Sequence, residues 1–151
     1  MICLPGWFAQ AIPVRHRKNE NLPAAYKNKF ESMRPERLDL TIAIPVKNEE
    51  KSLPDCIRAI GDDLAKEIVI LDSGSTDATK QIAANAGVRV VDFAWNGKFP
   101  KKRNWFLRNH PPTTKWVLFL DADEYLTPAF KDELREALRD SEKTGFWLNY
   151  S

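Results

Sequence analysis

The chain has 151 residues, 43% of them hydrophobic and 29% charged, which suits one globular domain with a core of its own. Its net charge of +2 is unevenly spread: residues 1–37 hold seven Lys/Arg against three Asp/Glu, whereas residues 38–151 hold sixteen against eighteen. A slightly acidic main part without cations interleaved along an aromatic face argues against nucleic acid as a partner, and two cysteines, Cys3 and Cys56, make no disulfide framework and suit a reducing compartment.

Residues 1–37 read as a flexible basic leader. The apolar stretch from Met1 to Val14 is interrupted by Pro5 and Pro13 and is shorter than the roughly 20 residues that a bilayer-spanning helix needs. The basic cluster Arg15-His16-Arg17-Lys18 follows the apolar part, the reverse of a secretory signal. Trp7 and Phe8 beside that cluster suit peripheral contact with an anionic membrane surface; an unstructured leader, or an upstream start site, is the competing reading. The expected location is the cytoplasm, with the inner membrane face as an extension of it.

From Leu38 onward, strands and helices alternate. Leu40 to Val46 predicts a strand, and a helix follows from about Ser52 with Pro54 in its first turn, where a missing N–H costs nothing. Glu67 to Leu71 predicts a second strand, followed by a helix through Asn85 that Gly87 stops. Val88 to Phe93 is a third strand. Lys101-Lys102-Arg103-Asn104 opens a helix to Asn109, and Trp116 to Leu120 reads as a fully buried strand in the middle of a parallel sheet. Pro128 starts an amphipathic helix to Arg139, and Gly145 to Tyr150 reads as a last strand. This order implies an α/β fold, a mostly parallel Rossmann-like sheet flanked by helices. A chain ending on a predicted core strand suggests a domain, residues 38–151, that continues in a longer protein.

Three segments carry the chemistry. The apolar run Trp116 to Leu120 stops at Asp121-Ala122-Asp123-Glu124, where three carboxylates within four residues must repel one another or share a cation. Hard oxygen ligands suit Mg²⁺ or Mn²⁺, and such an ion usually shares its coordination with substrate phosphates. A solvated acidic turn leading into a helix is the plainer alternative. Asp72-Ser73-Gly74-Ser75-Thr76-Asp77 closes the second strand; Asp72 can accept a hydrogen bond from a base N–H and Gly74 permits a close turn, although the same run is a good turn and N-cap sequence. Lys98, Lys101, Lys102 and Arg103 offer cations to phosphate oxygens or form a solvated helix face. Right-handed winding brings Asn48-Glu49, Asp72 to Asp77 and Asp121 to Glu124 to one sheet edge. His16 and His110 read as surface residues with no zinc or triad partners around them.

The runs Ile42 to Glu50, Ile70 to Asp77, Lys102-Arg103-Asn104 and Leu120 to Glu124, in that order, resemble the donor half of the family 2 glycosyltransferases of GT-A fold. The likeness spans about residues 40–150 and is closest to bacterial lipopolysaccharide-core β-1,4-glucosyltransferases. It implies that Pro45, Asn48 and Glu49 line a nucleoside pocket, that Asp72, with Gly74 beside it, contacts the base, usually uracil, and that Arg103 lies near the diphosphate. Asp121 and Asp123 would be the DxD pair around Ala122. In that pair Asp123 would hold a divalent cation most directly, and Asp121 would reach the ribose or the sugar. Ser73 stands where the commonest form of the second motif has another acid.

The implied reaction is sugar transfer from a nucleotide-diphosphate donor to a glycan or lipid-linked acceptor, inverting and metal-dependent. Its catalytic base would lie beyond Ser151, so this segment alone is expected to bind donor and metal with doubtful turnover. Two rivals remain at this level. One is a truncated or non-catalytic nucleotide-sugar-binding module. The other is a phosphohydrolase of the haloacid dehalogenase type, which Val117 to Asp123 matches locally, although three strand units precede it where that motif opens its fold.

Overall fold

The computed structural model describes residues 36–94, 97–139 and 142–146, all within one compact unit, Pro35–Ser151. The expectations for Cys3, Trp7, Phe8, His16 and the rest of residues 1–35, and for a strand through 147–150, lie outside the described residues; Gly145 and Phe146 themselves are not in a strand. No helix among the described residues is long and apolar enough to cross a membrane.

Eight elements follow one another as strand and helix: β1 (Leu38–Val46), α1 (Leu53–Ile60), β2 (Ala65–Asp72), α2 (Thr79–Asn85), β3 (Arg89–Asp92), α3 (Lys102–Asn109), β4 (Trp116–Phe119) and α4 (Pro128–Leu138). The four strands form one parallel sheet in the order β3-β2-β1-β4. The chain thus adds strands on one side of β1, then crosses back to place β4 on the other. Open α/β sheets bind ligands at such a reversal, beyond the carboxyl ends of the strands.

β1 is the axis of the sheet because it is apolar on both faces, as a strand covered by helices on both sides must be. Leu40, Ile42, Ile44 and Val46 point to a core with Leu53, Cys56 and Ile60 of α1, Ala83 of α2 and Leu134 of α4. Ala43 belongs to a second core with Val69, Leu71, Val91 and the fully buried Phe106 of α3. The two-residue alternation of a strand assigns these side chains to opposite faces. Thr41, buried on β1, is satisfied by Glu67 Oε2 at 3.1 Å and by a 2.7 Å hydrogen bond shared with Thr114 Oγ1.

The helices are fixed by their ends. Thr127 Oγ1 accepts from the Phe130 amide at 3.2 Å and caps α4, with Pro128 at its first position. From α4, Lys131 Nζ donates to Ile60 O at 2.9 Å and Arg135 Nη2 to Asp63 O at 2.9 Å, so cations satisfy carbonyls at and beyond the end of α1.

β4 differs from the sequence expectation. It is an edge strand among the described residues, and Trp116 to Phe119 are half-buried rather than fully buried. The apolar run has another cause. Trp116 and Leu118 pack against the first core and Val117 and Phe119 against the second, so both faces of an edge strand are covered.

Pro45 also falls into place here. Ala43 O receives the Leu120 amide at 3.2 Å and Val46 O the Ser73 amide at 3.1 Å, so residues 43 and 45 face β4 while 46 faces β2. Register pairs Ala43 with Phe119, the last residue of β4, so Pro45 lies past its end and forfeits no ladder hydrogen bond. β1 therefore outruns β4 and leaves an opening between their carboxyl ends.

Phe106 lies edge-on to Phe119 at 6.4 Å and fills the second core. Phe106→Ala should lower the unfolding free energy of the full chain by about 3–5 kcal/mol, read from the urea midpoint at unchanged slope.

Candidate functional site

The loop after β1 and the loop after β2 are sewn into one surface. The Asn48 amide donates to Ser75 Oγ at 2.9 Å, and the Thr76 amide donates to Asn48 Oδ1 at 2.8 Å. One step further, the Glu49 amide donates to Thr79 Oγ1 at 2.8 Å and the Glu50 amide to Asp77 Oδ2 at 3.1 Å. Glu50 returns a contact: its Oε2 accepts from the Ala78 amide at 3.1 Å. These reciprocal bonds require Asn48 in the left-handed region, at φ 59°, which asparagine tolerates better than most residues. Asn48 and Asp77 thus serve first to shape the loops.

Asp72, the last residue of β2, is fully buried. Its Oδ2 accepts from the Gly74 amide at 2.8 Å and the Ser75 amide at 2.9 Å, and Lys80 Nζ lies 3.7 Å away. Gly74 makes that turn at φ 77°, a conformation open to glycine. Burial alone would raise the carboxyl, but the hydroxyl and amide of Ser75, the Gly74 amide and the Lys80 ammonium outweigh it and hold the group below the usual carboxylate range. The other oxygen, Oδ1, is buried and has no hydrogen-bond partner. Such an orphan is costly unless something else satisfies it.

A cleft of about 490 Å³ opens over the ends of these strands, lined by Lys47, Ser73, Phe93, Lys101 and Lys102. Lys102 reaches back from the start of α3 and donates to Val46 O at 3.0 Å. Burial pushes its ammonium below the usual lysine range, Asp72 and Asp121 draw it back up, and Lys47 pushes it further down. Lys102 therefore feels the charge of both Asp72 and Asp121.

The acidic turn after β4 is less crowded than its sequence suggests. Asp121 Oδ1 pairs with Arg103 Nη2 at 2.7 Å, and Glu124 Oε2 accepts from the Asp121 amide at 2.9 Å. Ala122 is buried and anchors the turn in the first core, while Asp123 is exposed. Beneath the turn the Cys56 thiol is pushed up to about 11 by burial and then by Glu124 and Asp123, which leaves it no reactive thiolate. Among the described residues no three His, Cys, Asp or Glu side chains gather into a metal cage. A pair of carboxylates on a turn suits instead a hard divalent cation that draws its remaining ligands from phosphate and water.

The structure therefore brings together Asn48, Glu49, Asp72 and Gly74, and separately Arg103 with Asp121 and Ala122. Pro45 lies one step below, half-buried in β1. Asp121 and Asp123 are not part of the cleft lining, to which Lys102 belongs. His110, expected at the surface, is half-buried against Trp105 with ring centres 5.1 Å apart.

Lys80 was not legible as a site residue. It bridges Asp72 and Asp92, at 2.5 Å from the latter, and that Asp92 contact raises its ammonium most. Its only signal in the sequence was a lysine in the turn of helix that follows the Asp72 loop.

Against this background the comparisons with known proteins are direct. The model of the glycosyl transferase family 2 matches residues 41–150, and the chain belongs to that family. Among curated relatives, the lipopolysaccharide core biosynthesis glycosyltransferase LpsC of Rhizobium meliloti is 34% identical over 116 residues, 74% of this chain and 41% of that protein. A TPR repeat-containing protein of Synechococcus elongatus is 34% identical over 107 residues, 71% of this chain and 26% of its own length. The chain thus spans between a quarter and two-fifths of these relatives.

Solved structures place the fold among the GT-A glycosyltransferases. Glucosyl-3-phosphoglycerate synthase of Mycobacterium tuberculosis has a TM-score of 0.51 at 28% identity, covering 78% of this chain and 45% of its own. Residues 1–349 of TarS from S. aureus give 0.52 at 29% identity, covering 65% and 30%.

Because the folded value of Asp72 lies below its unfolded value of about 3.9, the stability it contributes is complete above that pH and is lost as pH falls through the folded value. Asp72→Asn should cost about 1–3 kcal/mol at pH 7 and show a smaller further loss than wild type between pH 5 and 3, read by urea unfolding across that range.

Proposed function

We propose that the chain is the donor-binding part of a metal-dependent, inverting glycosyltransferase that moves glucose or a related hexose from a UDP-linked donor to a glycan or lipopolysaccharide-core acceptor in cell-envelope synthesis. The observation that carries this reading is the orphaned, buried Oδ1 of Asp72, whose neighbour Ser73 lines the lysine-bearing cleft beyond the strand ends. A uracil ring offers one N–H flanked by carbonyls, and an ionised carboxylate oxygen without a partner is the complementary acceptor. Support for the donor class comes from the mycobacterial synthase, of which one structure, 26% identical with a TM-score of 0.50 and covering 74% of this chain and 41% of its own, holds Mn²⁺, UDP and phosphoglyceric acid. The likeness to LpsC supports the acceptor class.

In this reading each residue has a defined task. Asp72 reads the base; Asn48 and Glu49 shape the nucleoside floor; Lys102 and Arg103 face the diphosphate. Asp121 and Asp123 hold Mg²⁺ or Mn²⁺, which when bound neutralises charge on the departing diphosphate. The carboxylate oxygens of these two residues are of the hard type that such a cation takes, and Asp123 is exposed beside the buried Ala122. Lys47, Lys101 and Lys102 add positive charge around the cleft before any metal arrives. The general base for the acceptor hydroxyl is assigned to no residue of this chain. The workplace we assign is the cytoplasm and the inner membrane face, where lipid-linked acceptors are made.

The phosphohydrolase reading loses its ground because Asp121 follows the fourth strand and the family match covers residues 41–150. Calorimetry of the full chain with UDP and Mn²⁺ tests the proposal. Asp72→Ala should weaken UDP binding by about tenfold or more, the size of one hydrogen bond to a charged group, and Asp123→Ala should remove the enhancement by Mn²⁺. No heat with wild type, or two unaffected variants, would contradict it.

A further inference from the structure

Arg103 is the second residue of α3, and its guanidinium lies over the Phe119 ring, 5.5 Å from the centroid, with Nη2 at 2.7 Å from Asp121 Oδ1. Both side chains keep about half of their surface, 51% and 49%, so the pair can part without disturbing the core. Glu124 is turned onto the Asp121 amide and Asp123 is exposed, so the arginine meets the acidic turn at Asp121. In the protein alone, one proposed phosphate-binding group is therefore engaged with one proposed metal ligand.

We propose that Arg103 is a built-in counter-ion for Asp121 that competes with the divalent cation, so that metal entry and diphosphate binding are coupled through a single guanidinium. The inference rests on the reading of Asp121 and Asp123 as cation ligands given above. A guanidinium fork matches a carboxylate and a phosphate equally well, and the N–H edge that holds Asp121 Oδ1 is withheld from a phosphate oxygen while it does so. When a diphosphate takes the arginine, Asp121 is released to the cation; when the cation takes Asp121, the arginine is released to the diphosphate. Linkage makes the effect reciprocal, each ligand strengthening the other by the same factor. An exposed pair is weak, so the exchange costs little, and it is screened by salt. Phe119 provides a resting place for the guanidinium at the end of β4.

The test is Mn²⁺ binding to the full chain at low ionic strength, followed by the electron paramagnetic resonance signal of free Mn²⁺, with and without UDP. In Arg103→Gln, Mn²⁺ alone should bind about two- to fivefold more tightly than in wild type, the scale of one exposed ion pair. The factor by which UDP enhances Mn²⁺ affinity should fall by a similar amount, and Arg103→Lys, which keeps the charge without the fork, should lie between. Equal or weaker Mn²⁺ binding in Arg103→Gln, with wild type still binding Mn²⁺ in the presence of UDP, overturns the counter-ion proposal and leaves the metal assignment standing. Absence of Mn²⁺ binding by wild type even with UDP overturns both.

Discussion

A carboxylate withdrawn from water has to be compensated from within, and around Asp72 that compensation dictates the course of two loops. Its Oδ2 takes the amides of Gly74 and Ser75, which forces the chain through a left-handed turn directly after β2. Ser75 then presents its hydroxyl to the Asn48 amide, and Asn48 answers by accepting from Thr76. Without a charge at position 72 there would be no reason for these amides to converge, and the loop after β1 would lose the partner that holds Asn48 at positive φ. The remaining oxygen is left buried and unmet, a local deficit that the rest of the molecule tolerates.

The rim beyond the strands follows the same logic on a larger scale. Charges alternate along it: Lys80 lies between Asp72 and Asp92, and Arg103 pairs with Asp121. An assembly balanced in this way is stable without a ligand, yet each cation at the rim is held by contacts that a phosphate can replace. Balance is struck at the sheet's reversal, where β1 outruns β4 and Pro45 lies past the last ladder pair, Ala43 with Phe119. The backbone geometry that opens the crevice and the charges that line it thus have one origin in the strand order.

Much of this was legible in the sequence because strands write their period plainly. Leu40, Ile42, Ile44 and Val46 alternate with Thr41 and Ala43, and the structure sends the first set to one core and Ala43 to the other. Helix starts at Pro54 and Pro128 were equally plain, since proline fits the first turn. The position of β4 was not legible: an apolar run reports coverage on both faces, which helices provide to an edge strand as well as to a central one. Asp72 was marked by its place at a strand end, but its orphaned oxygen, the role of Lys80 and the engagement of Arg103 with Asp121 depend on contacts between separate crossover units. Asn48 and Glu49 were expected as pocket lining; hydrogen bonding commits the Asn48 side chain and the Glu49 amide to the neighbouring loop, a role that no spacing rule announces.

The central proposal is that Asp72 and the turn carrying Asp121 and Asp123, at the carboxyl ends of β2 and β4, serve one site for a nucleoside diphosphate and a cation. A crystal structure of the full chain soaked with UDP and Mn²⁺, with the anomalous signal of manganese recorded, tests it most directly. The account predicts a pyrimidine N–H on Asp72 Oδ1 and a manganese peak at Asp123 and Asp121. Manganese or nucleotide bound elsewhere, with Asp72 Oδ1 still unmet, would contradict it.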